Sequence, residues 1–168
     1  NTIIMNKILI FFILIYIISC SSIRDSDNEI TAIDCPRVFF SIENNIYIDS
    51  KSQDLDLEKV NYKASLNNYG FASNCVSDSI NNIYSLDLLI ISEPFSPKTP
   101  VINLPIFVLL YDIDDNVIDK QYFRVNENLN FNDETSEYQI TETITNLKIL
   151  LESERKVNYL TIGFVNIN

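Results

Sequence analysis

The chain has 168 residues, with 12 Lys and Arg against 23 Asp and Glu, no His, and a formal net charge of −11. At this length, with an export segment subtracted, one domain around one core is expected. The negative charge argues against nucleic acid and against electrostatic attraction to anionic headgroups, and the missing His removes Ser-His-Asp and Cys-His catalysis and the usual zinc ligand set.

Met5-Asn6-Lys7, an unbroken apolar run from Ile8 to Ile18, and Ser19-Cys20-Ser21-Ser22 follow one another as n-region, h-region and cleavage site. The run is shorter than the roughly 20 residues that span a bilayer, so a cleaved, helical signal over residues 1–19 is expected, its start at Met5. Ile17-Ile18-Ser19-Cys20 resembles the lipobox of bacterial lipoproteins. The resemblance implies cleavage between Ser19 and Cys20, and lipid on the Cys20 thiol and amine. One acyl chain anchors marginally, at about 0.8 kcal/mol per buried CH₂, whereas two or three hold essentially permanently. In diderm lipoproteins an Asp after the Cys favours retention in the inner membrane. Ser21 stands there, which implies the periplasmic face of the outer membrane.

Residues 20–34, polar and without a sustained period, read as the lipidated Cys and a tether; residues 35–168 read as the domain. Of three Cys in the chain, lipidation removes Cys20 and leaves Cys35 and Cys75 as a pair, which should be oxidised outside the cytoplasm. A hairpin between the strand after Cys35 and the strand before Cys75, folding near Leu55, would bring them together. A metal site is the rival reading of two Cys, but it lacks further ligands.

Strands are expected at Val38–Ile42 and Ile46–Ile48, then from Val60, where Val60, Tyr62, Ala64 and Leu66 alternate with Asn61, Lys63 and Ser65. Ile83–Ser92 follows. Ser96-Pro97-Lys98-Thr99-Pro100 breaks the chain, and the apolar run Leu104–Tyr111 reads as a central strand buried on both faces. Val117–Val125 returns from a turn at Asp112–Asn116. Tyr138–Lys156 is ambiguous, strand-like to Ile144 and then open to strand, helix or loop. Tyr159–Val165 closes the series with Leu160, Ile162 and Phe164 inward. About seven strands point to an all-β, antiparallel, immunoglobulin-like β-sandwich. Its hallmarks are absent, since there is no Trp and Ser73 stands two residues before Cys75.

Asp112, Asp114 and Asn116 occupy positions one, three and five of a calcium loop. Val117 replaces the turning Gly and Phe123 the bidentate Glu, so a four-residue hairpin turn without an ion is the preferred reading. Ser153-Glu154-Arg155-Lys156 and Ser26-Asp27-Asn28 match penicillin-binding motifs in reversed order, and Lys98-Thr99-Pro100 lacks the third motif's Gly. Glu152 and Glu154 read as a solvated face. No catalytic residue, resident metal or cofactor is assigned.

Cys35-Pro36-Arg37-Val38, Leu104-Pro105-Ile106-Phe107-Val108 running to Asp112, the Asp115-Asn116-Val117 turn and Gly163-Phe164 are similar, in order and spacing, to an uncharacterised family of small envelope lipoproteins common in alphaproteobacteria. The chain departs from that family in lacking its Ala- and Arg-rich middle. The resemblance implies fold and address but no activity. The resulting expectation is a non-enzymatic binding or structural role with an envelope protein partner; the alternative is a small cell-wall-acting hydrolase or carbohydrate-binding lipoprotein.

Overall fold

A computed structural model describes residues 30–50, 59–95 and 101–166; the signal segment, Ser19, Cys20 and the Ser26 and Lys98 motifs lie outside them. The described chain is all-β. Its strands are β1 (Thr31–Ala32), β2 (Arg37–Phe40), β3 (Ile46–Ser50), β4 (Val60–Phe71), β5 (Val76–Ser77) and β6 (Asn81–Pro94), then β7 (Val101–Tyr111), β8 (Val117–Asn128), β9 (Phe131–Asn132), β10 (Glu137–Tyr138), β11 (Thr141–Glu152) and β12 (Tyr159–Phe164). The expected seven undercount them, partly because β1, β5, β9 and β10 are two-residue ladders too short to leave a pattern.

Successive strand side chains point to opposite faces, so burial should alternate. In β6 it does: Asn82, Tyr84, Leu86, Leu88, Ile90 and Ser92 are buried and their neighbours are not. The same rule settles the ambiguous stretch. β11 continues past Ile144 to Glu152 with Leu147, Ile149 and Leu151 buried, while Ile144 and Leu150 face out. Its apparent helical stripe mixed residues from two faces. β7 corrects the reading of a strand buried on both sides. Ile102, Leu104, Ile106, Val108 and Leu110 are fully buried, but Val101 is exposed and Phe107, Leu109 and Tyr111 are only partly covered.

In the first sheet β6 has β11 on one side and, on the other, β4 and β5 end to end; β3 lies beyond β4, and β1 beyond β5. The second sheet runs β2-β12-β7-β8, and β9 and β10 form a separate hairpin. β2 and β12 are parallel, a departure from the all-antiparallel expectation. Parallel neighbours require a crossover, which the chain between β2 and β12 supplies. Buried side chains of both sheets form one hydrophobic core, and the Tyr62 hydroxyl of the first donates to the Asn103 carbonyl of the second at 3.1 Å.

Asn82 organises the end of β11. Its buried amide donates to the carbonyl of Arg155 at 2.8 Å and, more loosely, to those of Ser153 at 3.4 Å and Glu152 at 3.5 Å. A buried polar side chain needs such partners.

Cys35 and Cys75 form a disulfide with Cα atoms 5.2 Å apart and a sequence separation of 40. The expected hairpin does not bring them together. β2, after Cys35, pairs with β12, whereas β4, before Cys75, pairs with β3 and β6. The short β1–β5 ladder does it instead, extended by the Ile33 N–H donating to the Cys75 carbonyl at 2.9 Å. Thr31, Ala32 and Ile33, assigned to the tether from sequence, therefore belong to the folded part. The disulfide fastens this ladder beside the entry to the second sheet. Replacing both cysteines by Ser should cost about 4 kcal/mol in urea unfolding, and reductant should lower the parent's midpoint toward the variant's without moving the variant.

Candidate functional site

The outward side of the second sheet is built by register. Because β12, β7 and β2 bury Leu160, Leu110 and Val38 side by side, their neighbours Tyr159, Tyr111 and Arg37 share the opposite face. One step along, Phe39, Thr161, Leu109 and Lys120 lie abreast, and beyond them Gly163, Phe107 and Tyr122. Pro105 and Arg124 complete the middle of the β7–β8 ladder. Phe39 is 48% exposed and Tyr122 61%, so this is a solvent-facing aromatic surface.

The rings hold one another. Tyr111 and Tyr159 stack at 4.5 Å, and Phe39 meets Tyr159 edge-on at 5.6 Å. The cations lie on rings: the Arg37 guanidinium is 6.0 Å from the centre of Phe39 and the Lys120 ammonium 5.1 Å from that of Tyr122. Such contacts contribute about 0.5–1 kcal/mol each at exposed sites, enough to bias rotamers. Burial first, then a hydrogen bond and the negative charge of Asp115, push the Tyr159 hydroxyl above its ordinary range. Gly163 makes the centre possible. A Cβ there would stand 2.6 Å from Cζ of Phe107 and 2.9 Å from Cβ of Asn44, so the Phe107 ring lies where a side chain would otherwise be.

The face combines aromatic rings with Arg37, Lys120 and Arg124, and its strand positions include no carboxylate. Acid enters at the Asp112–Asn116 turn at one end. There Asp112 Oδ1 accepts the N–H groups of Asp114 at 2.9 Å and Asn116 at 2.8 Å, while Oδ2 accepts the Asn116 amide at 3.2 Å. The Asn116 N–H does most to hold the Asp112 carboxyl below the usual range. The Asp112 N–H also donates to the Asn116 carbonyl, which leaves Ile113, Asp114 and Asp115 as the loop, with Asp115 left-handed at φ 62°. The expected four-residue turn is thus a three-residue loop closed by a left-handed residue, a common hairpin geometry. Its Asp and Asn side chains fix a bend, a role distinct from the calcium ligation weighed for Asp112, Asp114 and Asn116.

Other sequence candidates sit apart from the face. Glu152 ends β11 and Glu154 stands in the following turn, both exposed. Ser153 Oγ donates to the Ser79 carbonyl at 3.5 Å, and the Arg155 guanidinium to the Ile118 carbonyl. On the outward side of the first sheet a shallow depression of about 190 Å³ opens among Asn68, Tyr69, Gly70, Asp87, Leu89 and Ile144. Asp87, its carboxylate, accepts the Asn146 amide at 2.7 Å.

Sequence reasoning passed over Glu127. It alternates with Val125 and Leu129, so β8 turns it inward, where it is 7% exposed. Oε2 accepts a hydrogen bond from Ser92 Oγ at 3.3 Å, and Oε1 has no hydrogen-bond partner among the described residues. Burial raises its pKa, only partly offset by Ser92. The inward alternation was visible in Val125-Asn126-Glu127-Asn128-Leu129. The aromatic face had no comparable signal, because its members come from four strands whose register the sequence does not display.

No family model matches the chain, and neither does any curated protein or solved structure.

Glu127 generates a pH prediction. A carboxyl whose pKa is raised by folding favours the native state while protonated, and that contribution is lost as pH rises through the native pKa. Glu127→Gln, which has no charge to bury, should therefore raise the unfolding free energy at neutral pH, by about 1–2 kcal/mol. The difference should vanish toward pH 4. A pH-independent difference in urea titrations would assign the effect to packing.

Proposed function

We propose that the chain is an exported lipoprotein of the small alphaproteobacterial envelope type, anchored through lipid on Cys20 at the periplasmic face of the outer membrane. The domain it carries has a non-enzymatic binding or structural role in the envelope. The observation that carries the reading is the Cys35–Cys75 disulfide. Disulfides persist in oxidising compartments, and with these two joined, Cys20 is the remaining cysteine of three. The lipobox pattern therefore falls on the thiol left for alkylation.

We read the domain as an immunoglobulin-like sandwich. Two sheets contribute to one core, and the Tyr62–Asn103 and Ser92–Glu127 hydrogen bonds run between them. A binding role is supported by the aromatic and cationic face, since exposed apolar patches of this kind mark interaction surfaces. For the alternative, an acid-base activity on cell-wall polymer, the carboxyl with a raised pKa among the described residues is Glu127, which points into the core. That placement favours binding over hydrolysis.

The anchor has a direct test. Cells given a radiolabelled or alkyne-tagged fatty acid should label the parent chain, and Cys20→Ala should lose the label and leave the membrane fraction. Undiminished labelling and membrane retention of Cys20→Ala would refute the lipoprotein assignment.

A further inference from the structure

We infer that the outward face of the β2-β12-β7-β8 sheet docks a protein whose surface presents carboxylates around an apolar centre. This rests on the binding role proposed above and is independent of the lipid anchor.

Charge provides the first argument. The chain carries −11 overall, yet the strand positions of this face hold Arg37, Lys120 and Arg124 and no Asp or Glu, with Asp112 and Asp115 confined to the turn beside Tyr159 at one end. A uniformly acidic surface would place carboxylates here too. A local cationic area on an acidic molecule attracts negative charge at short range, while the rest of the molecule repels extended polyanions. The complement is therefore a compact acidic surface, and long phosphate polymers are disfavoured.

Composition provides the second. Protein interfaces are enriched in Tyr, Phe and Arg at their centres and poor in Asp and Glu. Here Phe39, Phe107, Tyr122 and the Tyr111–Tyr159 stack sit among two Arg and one Lys. Sugar recognition would use acceptors beside the rings to take hydroxyl pairs. On the β7–β8 ladder the Asn103 amide donates to the Asn126 amide oxygen at 2.6 Å, and at the end of the face Asp112 is engaged by its own turn and Asp115 by Tyr159.

Preorganisation is the third. Over Ile106–Tyr111 of β7 and Tyr159–Ile162 of β12 the strands are paired on both sides and resist splaying, and Arg37 and Lys120 already lie over rings. Less side-chain entropy is then lost on docking. Two-fold pairing of the face with itself in a second copy would set Arg37, Lys120 and Arg124 against their equivalents. Like charges in contact oppose that arrangement.

The test uses the full-length chain, purified from whole cells in a neutral detergent and immobilised, with a displayed library of random peptides as probe. Enriched peptides should carry excess Asp and Glu around an aromatic or aliphatic residue, and their affinity should fall as salt is raised. Lys120→Glu with Arg124→Glu should weaken them at least tenfold and Tyr122→Ala several-fold. Lys148→Glu, on the outward side of the other sheet, should leave binding unchanged. All these positions are exposed, and urea midpoints equal to the parent's would exclude misfolding. Enrichment without acidic bias, no enrichment, or equal loss in Lys148→Glu would overturn the proposal. So would cosedimentation with purified cell-wall polymer, or a dimer in ultracentrifugation, if the paired charge reversal abolished it. Lipid labelling is scored separately, so failure here leaves the Cys20 assignment standing and the reverse also holds.

Discussion

A strand can hide only every second side chain, and in β6 that restriction runs unbroken from Asn82 to Ser92. Neighbours on both sides read their register from it: β11 pairs along its whole length, β4 along the second half, and β5 at its start. The inward row Tyr84, Leu86, Leu88 and Ile90 forms the centre of the core, against which β7 presents its own fully buried row. Slipping β6 by one residue would turn Asp87 and Glu93 inward and Leu86 and Leu88 out. The penalty for burying unpaired carboxylates makes the register unambiguous.

The same restriction explains which features are legible in the sequence. Strand existence was legible wherever alternation was clean, as in Val60–Leu66 and in Tyr159–Phe164, whose Leu160, Ile162 and Phe164 are all fully buried. It failed where both faces carry apolar side chains. In β7 the outward Phe107 and Leu109 pack against neighbours in their own sheet, giving an apolar run that mimics two-sided burial. In β11 the outward Ile144 and Leu150 created a false helical spacing with Leu147 and Leu151. The cysteine pairing was legible by count, but the two-residue ladder that aligns it was not, because Thr31–Ala32 and Val76–Ser77 are too short to show a period.

Site information was less accessible for a related reason. Asp112–Asn116 is local, so its side-chain hydrogen bonds follow from five adjacent residues and the turn reading was near the truth. The aromatic face is non-local: Phe39, Tyr159, Tyr111 and Tyr122 become neighbours only through sheet order. Glu127 lies between these cases. Its inward direction follows from local alternation, whereas its meeting with Ser92 follows from the packing of β8 against β6.

The parallel β2–β12 pair also constrains how the molecule can be made. It joins segments so distant in sequence that Arg37 and Asn158, which touch through a 3.5 Å side-chain hydrogen bond, are 121 residues apart. The β7–β8 hairpin and the β4–β6 ladder are far more local and can form while later residues are still being delivered. The second sheet cannot close its β2 edge until β12 arrives. Ordering so long an intervening segment makes this step slow compared with hairpin formation. For any chain delivered from its N-terminal side, this topology acts as a delay: the first strand of the sheet must wait for β12 before the fold can pull tight.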